Sequence, residues 1–383
     1  MPRWQHCISY AGSELEEFLE GYFKNGDRSC LFVAGAGFDP RSSAIAELIA
    51  RLTAGTSNRV KAVFIREHRP KPGSALVQLG DRHAAHLQKT ITDSWVVDIE
   101  VLDPSDGAVV GGQRVIAAMR RYPQLLDGVT DVILDMSALS VGISFPLASY
   151  LSAATSQGRL NFHLMAASNP NFDDAITSIP SDVVDPVRGF SGEIDYEECA
   201  DEPKIWLPHL AKNRTTSLQR ILDKLNGPVK ICPVLPLSQC DPTSGDRLLA
   251  EYERELAGEW EVDPRDLVYA IEDDPLDLYR TISAICRRTH SVFRDVIRPH
   301  LVLSPSGNKA LAIGALMAAL EHDIAIRYVE SVGYEVDWTK IKAAGDSVSR
   351  LVHVWLQGDP YAEEPDTEEP EGSSLDEQRN SVG

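Results

Sequence analysis

Two short stretches of the sequence place glycine, serine and charged residues where an apolar run meets a helical pattern. The first, "LFVAGAGFDPRSS", carries Gly35, Gly37, Asp39, Arg41 and Ser42. Glycines let the backbone approach a ligand closely, and the free N–H groups at a helix start attract anions. Arg41 suits a phosphate or carboxylate, and Asp39 suits a ribose hydroxyl or a helix cap. The stretch indicates a nucleotide-like pocket, with a capped turn and a solvated Arg41 as the alternative.

The second stretch, "LVLSPSGNKALAIGALMAALE", carries Ser304, Ser306, Gly307, Asn308 and Lys309. These residues follow a predicted strand and begin a predicted helix, which is the edge where ligands of open α/β sheets bind. Serine hydroxyls, exposed N–H groups and one lysine suit a phosphate. The alternative is a plain helix cap with Lys309 in solvent.

Weaker candidates follow other predicted strands. Asp135 and Ser137 lie in "VILDMSALS" and are ligand-binding candidates whose alternative is a helix cap. Asn169 follows "HLMAAS" and is a candidate for the wall of the pocket. Three acids at 272–274 also follow a strand, but such a run more often forms a solvated turn, so no metal site is assigned. No catalytic residue is assigned either.

Apolar runs and helical stripes alternate along most of the sequence, which predicts the α/β class with two Rossmann-like halves and mainly parallel sheets. We divide the protein at 1–205, 206–358 and 359–383. Residues 171–228 interrupt the alternation and are interpreted as a connection with one helix near its end. Ser137 and Ser306 occupy matching places, as do Asp39-Pro40 and Asp241-Pro242, which suggests a remote internal duplication with chance similarity as the alternative.

Charge and composition exclude several classes of protein. The net charge is −20, of which residues 359–383 carry −8, and the remaining acidic body should repel duplex nucleic acid. The final segment has few apolar residues and is predicted to be disordered. There is no transmembrane-length apolar run, no secretory signal pattern and no CxxC pair, so a cytoplasmic protein without membrane association is expected. Standard P-loop, GxSxG and HExxH motifs are missing.

The stretch Ser306-Gly307-Asn308-Lys309, with the helix after it, resembles the signature of CRISPR-associated Rossmann-fold (CARF) domains. Serine and asparagine replace the usual glycine and threonine of that turn. The resemblance implies a sensor of cyclic or linear oligonucleotide messengers, or a SAVED domain built from two CARF-like units. It also implies a role in antiviral defence, with the effector activity carried by a partner protein.

The stretch Gly35-Ala36-Gly37-Phe38-Asp39-Pro40-Arg41 resembles motif I of S-adenosylmethionine-dependent methyltransferases related to leucine carboxyl methyltransferase. This resemblance implies that Asp39 and Glu67 surround that cofactor, although Pro40 departs from the motif. The leading expectation is a nucleotide or oligonucleotide sensor. A methyltransferase and a scaffold protein with vestigial pockets are the alternatives.

Overall fold

The computed structural model describes residues 2–24, 26–158, 160–190, 202–293, 299–344 and 349–361. Of the segment 359–383, which was predicted to be disordered, the residues after Tyr361 lie outside the described ranges. None of the helices in the described ranges has the length and apolar character needed to cross a membrane.

The first unit, residues 29–168, alternates five strands with helices, as predicted. Alternate residues of each strand face opposite sides of the sheet. Because both faces are apolar, helices must cover both of them. The strands are β2 (Ser29–Gly35), β3 (Arg59–His68), β4 (Ser94–Glu100), β5 (Asp131–Asp135) and β6 (Asn161–Ser168). The helices are α2 (Ala44–Thr53), α3 (Ser74–Thr90), α4 (Gly111–Arg120) and α5 (Val141–Gly158), and β1 (Ile8–Ala11) and α1 (Ser13–Lys24) precede them.

The second unit, residues 204–336, repeats this alternation. Its strands are β8 (Lys204–Pro208), β9 (Val229–Ile231), β10 (Val234–Leu237), β11 (Val268–Ile271), β12 (His300–Ser304) and β13 (Ala325–Val336). Its helices are α7 (Thr215–Lys224), α8 (Ser244–Glu251), α9 (Pro275–Val292) and α10 (Lys309–His322). Outside the two units lie α6 (Pro170–Asp173), β7 (Ile176–Pro186), α11 (Trp338–Ala344) and β14 (Arg350–Gln357).

The two units share one strand order. The first sheet runs β1-β14-β6-β5-β2-β3-β4, and the second runs β7-β13-β12-β8-β9. The two-stranded sheet β10-β11 continues the second, because the Leu210 N–H at the end of β8 donates to the Val234 carbonyl of β10 at 2.9 Å. In the first unit, the first strand, β2, lies between the second, β3, and the fourth, β5. In the second unit, β8 lies between β12 on one side and, on the other, β9 and β10, which together take the place of the second strand. This repeated order supports the predicted internal duplication.

The units exchange one strand each. β7 follows β6 in the sequence but pairs antiparallel with β13, whereas β14 follows β13 and pairs antiparallel with β6. Both sheets therefore contain a strand from the other side of the division proposed at residue 205. That division as a boundary between folding units stays a prediction.

The order of the strands also corrects two sequence interpretations. Residues 171–228 are not merely a connection with a helix, since they contain β7 and β8. Asp241 follows β10, the counterpart of β3, so it does not match Asp39, which follows β2. The true counterpart of the Asp39 loop is 209–214, whereas Ser137 after β5 and Ser306 after β12 do match.

The core joins the two units. On β2, Leu31 and Val33 pack into one apolar cluster, and Phe32 and Ala34 pack into another on the opposite face. The first of these clusters also contains Leu303 of β12, so the helices between the sheets pack against both. Helix α10, with its run of small apolar residues, is buried on every side. This arrangement holds the carboxyl ends of both sheets at one shared edge.

Candidate functional site

One cleft of about 860 Å³ opens at the carboxyl ends of the parallel strands. Loops from both units line it, because the exchange brings the two sheet edges together. Ten of the predicted site residues line this cleft: Gly37, Asp39, Arg41, Glu67, Ser137, Asn169, Ser306, Gly307, Asn308 and Lys309. Gly35, Ser42, Asp135 and Ser304 do not line it and lie behind its wall.

Arg41 is held by two carboxylates. Its guanidinium lies 2.7 Å from Asp39 and 2.7 Å from Asp173, and the side chain is only 5% exposed. Burial opposes the charge of Asp39, but Arg41 outweighs that effect and holds the pKa of this carboxyl below its usual value. The backbone N–H of Arg41 also donates to Asp39, which caps the short turn. The charge of Arg41 is therefore balanced within the protein, and both the predicted cap and an ion pair are present.

The two glycines of this loop have different surroundings. A Cβ on Gly35 would lie 2.8 Å from the backbone carbonyl carbon and oxygen of Ala138, whereas a Cβ on Gly37 would meet nothing closer than 3.9 Å. Gly35 therefore lets the loop after β5 approach, rather than a ligand. Ser42 is buried with its hydroxyl 3.3 Å from the Nδ1 atom of His83.

Glu67 is also engaged by the protein. Its carboxylate accepts from the Ser140 N–H at 2.8 Å, at the entry to α5, and from Arg69 at 2.5 Å. Arg69 in turn pairs with the buried Glu330 at 2.8 Å. A carboxylate at a helix start satisfies the free N–H groups that an anionic ligand would otherwise use. The start of α5 is consequently not open to a phosphate without displacement of Glu67.

Asp135 ends β5 directly beneath the cleft. Its carboxylate accepts from the N–H and the hydroxyl of Ser137, at 2.8 Å and 2.5 Å. Burial, opposed by these hydrogen bonds, raises the pKa of Asp135 to about 7. The Ser137 hydroxyl also accepts from the Ala167 N–H at 2.7 Å, which ties β5 to β6. Both side chains thus support the loop that forms the cleft wall.

The matching loop after β12 combines structural and exposed groups. Ser304 accepts from the Trp206 indole at 2.8 Å, and Ser306 donates to the His209 carbonyl at 2.5 Å. Gly307 has a φ of +76°, and a Cβ there would lie 2.7 Å from the Cβ of Ala211. Glycine is therefore needed at this position both for the left-handed backbone and for the close contact.

Asn308 and Lys309 connect the two units. The amide oxygen of Asn308 caps α10 by accepting from the Ala310 N–H at 2.7 Å, and its amide nitrogen donates to Ser168 of β6 at 2.9 Å. Lys309 donates from Nζ to the Leu139 carbonyl at 2.5 Å. Burial and the nearby Arg41 lower the pKa of Lys309. Both residues face the cleft, so the predicted phosphate role of Lys309 remains compatible with its position.

The remaining candidates are caps or wall residues. Asn169 caps α6 by accepting from the Asn171 N–H at 3.1 Å, and it lines the cleft. Of the three acids at 272–274, Asp274 caps α9 and Asp273 lies 3.7 Å from Arg350, while burial raises the pKa of Glu272. Within the described ranges, no group of three metal-ligating side chains occurs.

Arg214, Tyr328 and Tyr334 are among the cleft residues that the sequence analysis did not name. Arg214 directly precedes α7, and the two tyrosines lie on β13. Arg214 belongs to the loop 209–214, the counterpart of the Asp39 loop. The signal was the apolar run "IWLP" followed by "AKNRTT", but it lies in the stretch interpreted as a connection.

The cleft is less acidic than the protein as a whole. Nine lysines and arginines and nine acidic residues line it, whereas the whole protein has a net charge of −20. An anionic ligand is repelled less here than elsewhere on the surface. Balanced charge alone does not select a ligand, so the recognition of any anion depends on which cations lack a carboxylate partner.

No known family profile matches the sequence, and no curated protein matches it. Among solved structures, the protein is similar to the cytoplasmic domain of a prokaryotic cation chloride cotransporter, with 9% identity, a TM-score of 0.24, and coverage of 80% of this protein and 96% of that one. A putative universal stress protein from Pseudomonas aeruginosa UCBPP-PA14 has 10% identity, a TM-score of 0.22, and coverage of 82% and 95%. A universal stress protein from Archaeoglobus fulgidus DSM 4304 has 10% identity, a TM-score of 0.23, and coverage of 79% and 96%. Likenesses this weak carry no inference about function, and the α/β class with mainly parallel sheets rests on the strand order itself.

Proposed function

We propose that this protein is a cytoplasmic sensor that binds a nucleotide or oligonucleotide messenger in the cleft shared by its two units. The observation that carries the proposal is the cleft of about 860 Å³ at the carboxyl ends of the parallel strands, which loops of both units line. Crevices at this edge of parallel sheets are the usual ligand sites of such folds. Because two units with the same strand order contribute to one cleft, the ligand spans both units.

The loops of the cleft support a nucleotide in particular. Phe38 lines the cleft and provides aromatic surface, with its ring centroid 5.1 Å from that of Tyr334. Aromatic side chains stack on nucleobases with little selectivity for one base over another. Polar and cationic groups of both units lie around them and suit ribose and phosphate. A partner protein would carry the output of the signal in this proposal.

The methyltransferase alternative has less support from the contacts. Both oxygens of Asp39 accept from Arg41, and both oxygens of Glu67 are engaged by Ser140 and Arg69. A ribose would have to displace these contacts. The two acids on which the alternative depends therefore already have partners in the protein.

The test combines native mass spectrometry of the purified protein with calorimetry against a panel of ligands. The panel contains mononucleotides, cyclic di-, tri- and tetranucleotides, short linear oligonucleotides and S-adenosylmethionine. We expect one nucleotide class to bind with one molecule per protein and to raise the melting temperature, because a ligand that binds only the folded state stabilises it. S-adenosylmethionine binding alone would support the methyltransferase, and inertness towards the whole panel would support a scaffold.

A further inference from the structure

The basic residues of the cleft differ in whether a carboxylate already balances them. Six of the nine lie within 4 Å of a carboxylate oxygen: Arg41, Arg66, Arg69, Lys212, Arg247 and Arg350. The other three, Lys71, Arg214 and Lys309, form no such pair with any residue in the described ranges. Among the basic residues of the cleft, these three are therefore the ones that an anion can approach without breaking an ion pair within the described part of the protein.

Arg214 is the best placed of the three for two-pronged contact with an anion. Lys71 is exposed at the rim, and Lys309 already donates to the Leu139 carbonyl. Arg214 is half-buried, and one of its terminal nitrogens donates to the hydroxyl of Ser178 on β7. That contact orients the guanidinium, which has five donors in a planar fork. The remaining donors have no protein acceptor among the described residues.

Two phenols lie on the strand next to the Ser178 hydroxyl that Arg214 contacts. Tyr334 is directly opposite Ser178 in the antiparallel β7–β13 ladder, so both side chains are on one face of the sheet. Tyr328 lies on the same strand, and both tyrosines line the cleft. Burial raises the pKa of both phenols, so each keeps its proton at neutral pH and acts as a donor. Within the part of the protein that the structure describes, neither hydroxyl has a hydrogen-bond partner.

The other charges of this corner are held in contacts of their own. Arg69 lies over the Tyr334 ring, 5.1 Å from its centroid, and pairs with two carboxylates, Glu67 and Glu330, which leaves one negative charge in excess. Glu251, on α8, accepts from the Asn213 N–H at 2.7 Å next to Arg214. Arg214 is thus the cation of this corner that has no carboxylate within ion-pair distance among the described residues.

We propose that Arg214, Tyr328 and Tyr334 bind a phosphate or phosphodiester group of the ligand. This inference rests on the proposed function and names its anion subsite. The topologically equivalent loop of the first unit supplies Arg41, but Asp39 and Asp173 already neutralise that side chain. The two units are therefore alike in strand order and unlike in charge, so the ligand has one orientation, with its bound phosphate at the second unit.

Inorganic pyrophosphate and whichever nucleotide binds in the panel are the two probes, measured by calorimetry on the full-length protein. Arg214→Gln should weaken both about ten- to hundred-fold, the scale of a lost charge-assisted hydrogen bond. Tyr328→Phe and Tyr334→Phe remove single hydroxyls and should weaken both by smaller factors. Arg247→Gln is the matched control, since it removes the same charge from the same cleft at a residue paired with Asp241. Its affinities should stay within about threefold of the wild type.

The outcomes separate this subsite from the proposed function. If a nucleotide binds the wild type and every variant equally, the subsite is wrong and the sensor function stands. If pyrophosphate binds in an Arg214-dependent way while no nucleotide binds, the subsite stands and the sensor function fails. If pyrophosphate does not bind the wild type, the subsite is overturned. Should Arg214→Gln unfold, the two phenylalanine variants decide, because each keeps the ring and the fold contacts.

Discussion

Lys309 at the start of α10 donates from Nζ to the Leu139 carbonyl at 2.5 Å and so joins the loop after β12 to the matching loop after β5. Lysine at a helix start is unfavourable towards the helix dipole, so another interaction must favour it here. The carboxylates of Glu67, Asp39 and Asp173 favour the charged ammonium group, but burial and the nearby Arg41 outweigh them and lower the pKa of Lys309. The hydrogen bond to the Leu139 carbonyl is the contact that ties this side chain of the second unit to the first.

Lys309→Met keeps the length of the side chain and removes both the donor and the charge. We expect a loss of about 1–3 kcal/mol in the free energy of unfolding. The Leu139 carbonyl loses its hydrogen-bond donor, and the nearby carboxylates lose a positive charge. Lys212→Met is the control, since that lysine forms an exposed pair with Asp174 and should cost under about 1 kcal/mol. Urea denaturation measures the free energy of unfolding of both variants. Equal losses would show that the Lys309–Leu139 contact stabilises the fold no more than an exposed ion pair does.

Substitution by alanine should cost more stability at Gly35 than at Gly37. A Cβ on Gly35 would lie 2.8 Å from the backbone of Ala138, so Gly35→Ala must push the loop after β5 and should cost about 1–3 kcal/mol. Gly37→Ala meets only an ordinary contact at 3.9 Å and should change the free energy of unfolding by less than about 1 kcal/mol. Each variant is the control for the other in chemical denaturation. Equal costs would mean that the approach of the two loops is looser than the structure shows.

Arg41→Leu should destabilise the fold. The side chain is 5% exposed and pairs with both Asp39 and Asp173, so its loss leaves two carboxylates without their cation. Breaking such a buried pair costs about 3–5 kcal/mol, and the partial exposure of Asp173 places the expected loss at the lower end. Arg51→Leu removes an exposed arginine paired with Glu16 and should cost under about 1 kcal/mol in the same denaturation experiment. A loss no larger than that of Arg51→Leu would contradict a structural role for Arg41.

Asp135 should make stability depend on pH. Its pKa is about 7 in the folded protein, so the folded state keeps a proton that the unfolded state, with the usual aspartate pKa near 4, has already released. The contribution of protonated Asp135 to the stability of the folded state is complete below pH 4 and is lost as the pH rises towards 7. Asp135→Asn keeps an acceptor for Ser137 and has no proton to lose. Between pH 5 and 7, the slope of the free energy of unfolding should differ between the two proteins by up to about 1.4 kcal/mol per pH unit.

Urea denaturation at pH 5, 6, 7 and 8 compares the wild type with Asp135→Asn. We expect the variant to gain stability relative to the wild type as the pH rises. Parallel curves for the two proteins would show that Asp135 is ionised in the folded state and that its hydrogen bonds with Ser137 outweigh its burial.

Local sequence determined the elements and the edge at which the site lies. The apolar run at 31–35 is short, contains valine and phenylalanine and ends in glycine, which favours a buried strand over a helix, and the helical stripe after it was expected to pack on the sheet. The same logic placed Lys309 at a strand exit, and strand exits of parallel sheets meet at one edge. The strand order, however, depended on pairings that no local pattern encodes. The strands β7 and β14 lie on either side of the division between the halves, and only the packing of the whole protein assigned each to the opposite sheet.

The charge state of the site was likewise decided by the tertiary structure. Arg41 was interpreted as a phosphate ligand because Asp39 was the only acidic residue close to it in the sequence. In the fold it also pairs with Asp173, which is 132 residues away in the sequence. Arg214 was interpreted as part of a connection, yet in the fold it belongs to the loop that corresponds to the Arg41 loop. No carboxylate of the described ranges lies within ion-pair distance of it. Periodicity reports which residues share a face of one element, because that depends on local backbone geometry. Which charges neutralise one another depends on side chains meeting across elements, and those meetings exist only once the protein has folded.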